Sequence, residues 1–206
     1  MSRFVTGLVL LTLVAPVSAA DYQKMAAEAK WEWHAWNASL TASCARLNFM
    51  PLGGWEWVRE GVGYSWAMKQ FPGDYQLEVF QNTDRPGGLT FRFLKDDKRL
   101  LTFEGHRATG FLLKENVLYY TQYDLSSTGC TLVAFDLANK KELWKTDLKG
   151  IGPIQHKKYL NLVALDFAGD AVKVLGQETA GDYIEFVDIK TGKTVGHKCF
   201  GEGARK

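Results

Sequence analysis

The residues best equipped for chemistry in this chain are four histidines, three cysteines and seven tryptophans. Nucleophilic hydrolysis needs a hydroxyl or thiol beside a base, and a metal site needs His, Cys and carboxylates at short spacing. His34, His106, His156 and His197 are scattered. Glu32 and His34, a close His–acid pair, stand two apart, a spacing that does not share a helix face. There is no Gly-x-Ser-x-Gly, no Cys-x-x-Cys and no phosphate-cradling Gly-x-x-x-x-Gly-Lys-[Ser/Thr]. No catalytic residue and no metal ligand is assigned.

The tryptophans are the most unusual feature. All except Trp144 lie before residue 70: Trp31, Trp33, Trp36, Trp55, Trp57 and Trp66. An exposed Trp can stack on a sugar ring or anchor a protein partner. Most of this set reads as filling between a helix and a sheet. Trp31 falls off the apolar stripe described below and is the candidate ligand contact.

The elements that must carry these residues follow from pattern. Arg3, the apolar run Phe4 to Ala15, Pro16 and then "VSAA" have the form of a secretory signal, residues 1–20, cut after Ala19 or Ala20. The run is too short to span a bilayer comfortably, and no other run is apolar enough. The expectation is a secreted or periplasmic protein with no transmembrane segment after cleavage. Residues 21–206 suffice for a single domain. Over 21–40, Tyr22, Ala26, Ala29, Trp33, Trp36 and Leu40 recur at steps of three or four, which predicts one amphipathic helix of about four turns. From Trp55 to the end, short apolar runs alternate with turn residues. "LTFRFL" and "RLLTFEG" flank "KDDK", and "TLVAFDL" and "ELWKTDL" flank "ANKK". Such spacing predicts antiparallel strands and leaves no room for crossover helices.

Charge excludes one class of partner. The formal net charge is +2, with acids and bases interspersed as in "LKDDKRL". A nucleic-acid partner would require a basic stripe, so none is expected. Export would place Cys44, Cys130 and Cys199 in an oxidising compartment. One disulfide and one spare thiol then follow by arithmetic, and three pairings are open.

An internal repeat lies in the second half. When "AFDLANKKELWK" (134–145) is set over "FVDIKTGKTVGH" (186–197), Asp136 falls on Asp188, Leu137 on Ile189, Lys141 on Lys193 and Leu143 on Val195. "RFLKDDKRLLTF" (92–103) is a weaker third copy. The repeat regions lie near 116–150 and 158–198. Cys130 and Cys199 each end a strand in matching repeats, which favours Cys130–Cys199 among the three pairings.

The hydrophobic-Asp-x-x-Thr-Gly-Lys-x-x-Trp pattern resembles the blade repeat of pyrroloquinoline-quinone-type (PQQ-like) β-propellers. One copy keeps Asp188, Thr191, Gly192 and Lys193; the other keeps Asp136, Lys141 and Trp144. Asn139-Lys140 stands where Thr-Gly belongs, and Gly196 where Trp belongs. The overall make-up is also similar to short exported bacterial proteins of unassigned role. The resemblance implies a mainly β fold, with antiparallel meanders forming a small or partial propeller and the N-terminal helix packed on it. It implies structural duties for Asp136, Trp144, Asp188 and Gly192: the Asp and Gly shape the turn between the last two blade strands, and the Trp packs between blades. The chain is short for the many-bladed quinoproteins, with room for ~4 blades at most on a period of ~45. It also lacks their adjacent cysteine pair, so no cofactor is expected. The function expected is an exported binding or scaffold module, its partner a protein or a second copy met through sheet edges. The alternative is a carbohydrate-binding domain or weak glycan-active enzyme built on the Trp-rich N-terminal third.

Overall fold

Alternating apolar and polar residues make thirteen strands among the described residues. The computed structural model describes residues 17–30, 55–61, 64–82, 89–105, 110–123, 130–149, 162–178 and 181–200. β1 (Trp55–Gly61), β2 (Tyr64–Phe71), β3 (Tyr75–Asn82), β4 (Leu89–Lys95) and β5 (Lys98–Gly105) form the first sheet. β6 (Phe111–Lys114), β7 (Val117–Tyr123), β8 (Cys130–Asp136) and β9 (Lys141–Asp147) form the second. β10 (Leu162–Ala168), β11 (Ala171–Glu178), β12 (Gly181–Asp188) and β13 (Thr194–Phe200) form the third. In every sheet the strand order is the chain order and all pairs are antiparallel. Tight polar turns make this possible. Asp96 and Asp97 both adopt positive φ, 48° and 60°, as a two-residue hairpin that follows the strand twist requires.

The period-two pattern decides how the sheets meet. Leu77, Val79, Phe91, Phe93 and Phe103 of the first sheet pack on Phe111, Leu118, Tyr120 and Val133 of the second. The next residues along the same strands of the second sheet, Tyr119, Leu132 and Ala134, point the other way. They pack on Val163, Leu165, Val172, Val174, Tyr183 and Val187 of the third sheet. The second sheet is thus buried on both faces, which is why β7 and β8 read as continuous apolar runs. Tyr120 reports how dry the first interface is. Its ring stacks on Phe103 at a centroid distance of 4.2 Å. Burial first, then the charge of Glu142, pushes its phenol pKa up to about 12.

One helix, α1 (Ala19–Glu28), covers the far face of the third sheet. Ser18 is its N-cap, and Asp21 completes a capping box. The hydrogen bonds from Ser18 hold the Asp21 carboxyl below the usual carboxylate range. Tyr22 and Ala26, on one face, are buried against Ala171, Ile184 and Phe186. The predicted helix over 21–40 is corrected here: α1 ends at Glu28, and Ala29 leaves the helical region at φ −57°, ψ 137°. Lys198 explains the stop. Its Nζ donates to the carbonyls of Ala27 and Ala29, 2.8 Å each, and so caps the helix from the neighbouring strand. Trp33, Trp36 and Leu40 lie outside the described residues, as does the apolar run Phe4–Ala15. Among the described residues no helix is long and apolar enough to cross a membrane. The fold is mainly β: three antiparallel sheets and a helix.

Candidate functional site

The repeat residues meet at the last turn of each sheet. Asp136 ends β8, and its Oδ1 accepts from the backbone N–H groups of Ala138 and Asn139 at 2.9 and 3.1 Å. Asp188 ends β12, and its Oδ1 accepts from Lys190 N and Thr191 N at 3.1 and 2.7 Å and from Thr191 Oγ1 at 2.8 Å. Each carboxylate folds its own turn. The Asn139 side chain, then its backbone, holds the Asp136 carboxyl below the usual range. Partial burial alone would raise the Asp188 carboxyl, but the hydrogen bonds from Thr191 and Lys190 outweigh it and leave the group lowered.

Gly192 and Trp144 act as a pair across two sheets. Gly192 sits at φ +68°, and a Cβ there would lie 2.7 Å from the Trp144 ring. Trp144 Nε1 donates to Ile189 O at 2.9 Å, and Thr146 Oγ1 donates to Gly192 O. The indole of the second sheet is thus seated on the turn of the third. In the first copy Lys140 takes the place of Gly192, at φ 53°. Asp136 and Asp188 are engaged within their own turns, and Trp144 and Gly192 are packed on each other.

The cysteines are not joined. Cys130 is buried at the start of β8, whereas Cys199 is exposed on β13, an edge strand, and no disulfide links them. The signal missed in the sequence was the spacing His197-x-Cys199. On a strand it puts both side chains on one face, and Cys199 Sγ lies 3.7 Å from His197 Nε2. Trp31 lies outside the described residues. Among the described residues no group of three His, Cys, Asp or Glu side chains could hold a metal ion.

The outer face of the first sheet is a different kind of surface. Among the described residues no element packs on it, whereas α1 covers the opposite end of the stack. Gln70 Nε2 donates to Gln76 Oε1, and Gln76 Nε2 to Glu78 Oε1, both at 3.2 Å. Glu78 stands opposite Arg92 in register. The Arg92 guanidinium lies over the Phe80 ring, 4.2 Å from its centroid. Arg92 Nε is buried without a hydrogen-bond partner among the described residues. Burial raises the Glu78 carboxyl, and Arg92 only partly offsets it. The register also sets Trp66 opposite Phe80. On the same face Thr90 Oγ1 donates to Glu104 Oε1 at 3.0 Å. The arrangement can bind: it offers an unsatisfied donor, an acid and an aromatic ring side by side.

No family model matches the chain, and no curated protein matches it. Among solved structures, a Bacillus megaterium YpeB C-terminal domain aligns at 9% identity over 81% of this chain and 97% of that one. Its TM-score is 0.15, too low to support any argument about fold or role.

Proposed function

We propose that this chain is an exported, non-catalytic binding or scaffold module with no bound quinone. In this reading it is a partial, propeller-like stack of PQQ-like blades whose open end is completed by a second copy of the chain. The observation that carries the proposal is the outer face of the first sheet, where Arg92 Nε is buried with no hydrogen-bond partner among the described residues, beside Glu78. A buried donor without a partner is costly, ~1–3 kcal/mol, and a partner surface can relieve it. A face that carries both an arginine and an acid is self-complementary about a two-fold axis: Arg92 of one copy meets Glu78 of the other. The other end of the stack is already capped by α1, so association through the open face gives a closed dimer, not a fibre. Light scattering coupled to size exclusion on residues 21–206 tests this. A dimer is expected, with Arg92→Glu and Glu78→Arg each giving monomer and the double reversal restoring the dimer. A strictly monomeric wild type at high concentration rejects it.

A second reading is carbohydrate binding. It is favoured by the Gln70–Gln76–Glu78 ladder, whose planar amides and carboxylate lie on the face that also carries Phe80. It requires a change in tryptophan fluorescence on adding polysaccharide, lost in Trp31→Ala if Trp31 makes the contact.

A further inference from the structure

Glu78 and Arg92 stand opposite each other on β3 and β4, in the middle of the first sheet. Their row runs across the whole sheet. Met68 of β2 stands opposite Glu78, Glu56 of β1 opposite Met68, and Thr102 of β5 opposite Arg92. Both Glu78 and Arg92 are half-buried. Gln76 Nε2 donates to Glu78 Oε1 at 3.2 Å, and the Arg92 guanidinium lies on the Phe80 ring. Neutral neighbours on β3 thus hold both charged groups in place within one chain. The other charged residues that the register sets on this face are Glu56 and Arg59 of β1 and Arg99 and Glu104 of β5. Asp97, in the turn between β4 and β5, also acts on Glu78.

Arginine keeps its charge across the ordinary pH range, whereas a carboxylate can be neutralised. We propose that acid releases the two-fold dimer, with Glu78 as the group that reads pH, which presupposes that copies of this chain associate through this face. About the two-fold axis, two arginines and two glutamates cancel. Once the glutamates are protonated, two guanidinium groups face each other across a dehydrated interface, and like charges there repel. The guanidinium of the second copy favours the charged carboxylate, so association lowers the pKa of Glu78. The dimer is then strongest above the pKa of the free chain and weakens as pH falls through it. Burial first, with a smaller contribution from Asp97, holds that carboxyl above the ordinary glutamate value against the opposing effects of Arg92 and Gln76. Release therefore begins at a higher pH than an exposed glutamate would give.

The test is light scattering over a dilution series, from about pH 7.5 to about pH 4.5, on protein purified after expression of the full chain. Circular dichroism follows the fold at each pH. Up to two protons are taken up per dimer released. Kd is therefore expected to rise at least about tenfold over this range, and by no more than ~100-fold per pH unit. Glu78→Gln keeps the shape and removes the charge. It is expected to raise Kd at least about tenfold at the upper pH and to abolish the pH dependence, whereas Glu104→Gln retains that dependence. A wild-type dimer whose Kd is unchanged at the lower pH overturns acid release and leaves the dimer itself standing. A chain that is monomeric at every pH overturns both. Glu78→Gln with the wild-type Kd at the upper pH, or with the wild-type pH dependence, also overturns the proposal. If the chain unfolds in acid, the comparison at the upper pH decides.

Discussion

At the scale of single residues, the turn positions carry most of the specification. Asp136 and Asp188 do the same work in two sheets because a carboxylate two residues from the turn amides is the simplest acceptor available. The glycine positions differ in consequence. Gly192 is held at positive φ with the Trp144 ring pressed against it, so an added methyl meets both backbone strain and overlap. Gly192→Ala is expected to cost about 2–4 kcal/mol in urea unfolding. Lys140 has the same backbone sign in an exposed turn, so Lys140→Gly should leave stability unchanged or raise it by up to about 1 kcal/mol. If the two substitutions had similar effects, the Trp144–Gly192 contact would not be what fixes this interface.

At the scale of elements, α1 is held by its partners more than by its own propensity. A helix of 10 residues is marginal alone in water. Its docking is specific: Tyr22 OH donates to Ala168 O at 2.8 Å and accepts from Asp170 N at 2.9 Å. Gly196 lets the helix backbone approach so closely that a Cβ there would lie 2.4 Å from Tyr22 O. Cleavage after Ala19 or Ala20 would remove the Ser18 cap, worth ~1 kcal/mol, and leave this docking to hold the helix. Tyr22→Phe keeps the ring against Phe186 but strands the Ala168 carbonyl and the Asp170 amide. It is expected to cost about 1–3 kcal/mol and to speed amide exchange in α1 before the rest of the chain. Unchanged exchange in α1 would mean that the apolar contacts alone seat it.

At the scale of the whole molecule, the layers are joined by apolar faces with a polar aromatic tip at each junction. Tyr75 OH bonds Asn116 Oδ1 at 2.7 Å between the first and second sheets. Trp144 Nε1 bonds Ile189 O between the second and third, and Tyr22 joins the third sheet to α1. Such a stack has its most protected layer in the middle. Hydrogen exchange should be slowest at Leu118, Tyr119, Leu132 and Val133 in β7 and β8, and faster in the first sheet, which packs on one face. Slowest exchange in the first sheet would require a cover on its outer face.

The strands were legible because their period is local. Each of the thirteen strands contains an apolar run that can be read from neighbouring residues, and "KDDK" and "ANKK" mark their own turns. Asp136 and Asp188 were legible for the same reason, since their hydrogen bonds reach only two or three residues along the chain. The helix was half legible: the stripe Tyr22–Ala26 is intrinsic, but its end at Glu28 depends on Lys198, far away in sequence. The outer-face group of Glu78, Phe80 and Arg92 was not legible, because it forms only when β3 and β4 pair in one register. The sequence by itself determined the strands, their turns and the mainly β class, all set by interactions between residues close in the chain. Only the tertiary structure decided that the sheets stack with the second buried on both faces, that Cys199 faces His197 beside buried Glu185, and which end of the stack α1 covers. Those outcomes depend on contacts between residues distant in sequence, which no local pattern encodes.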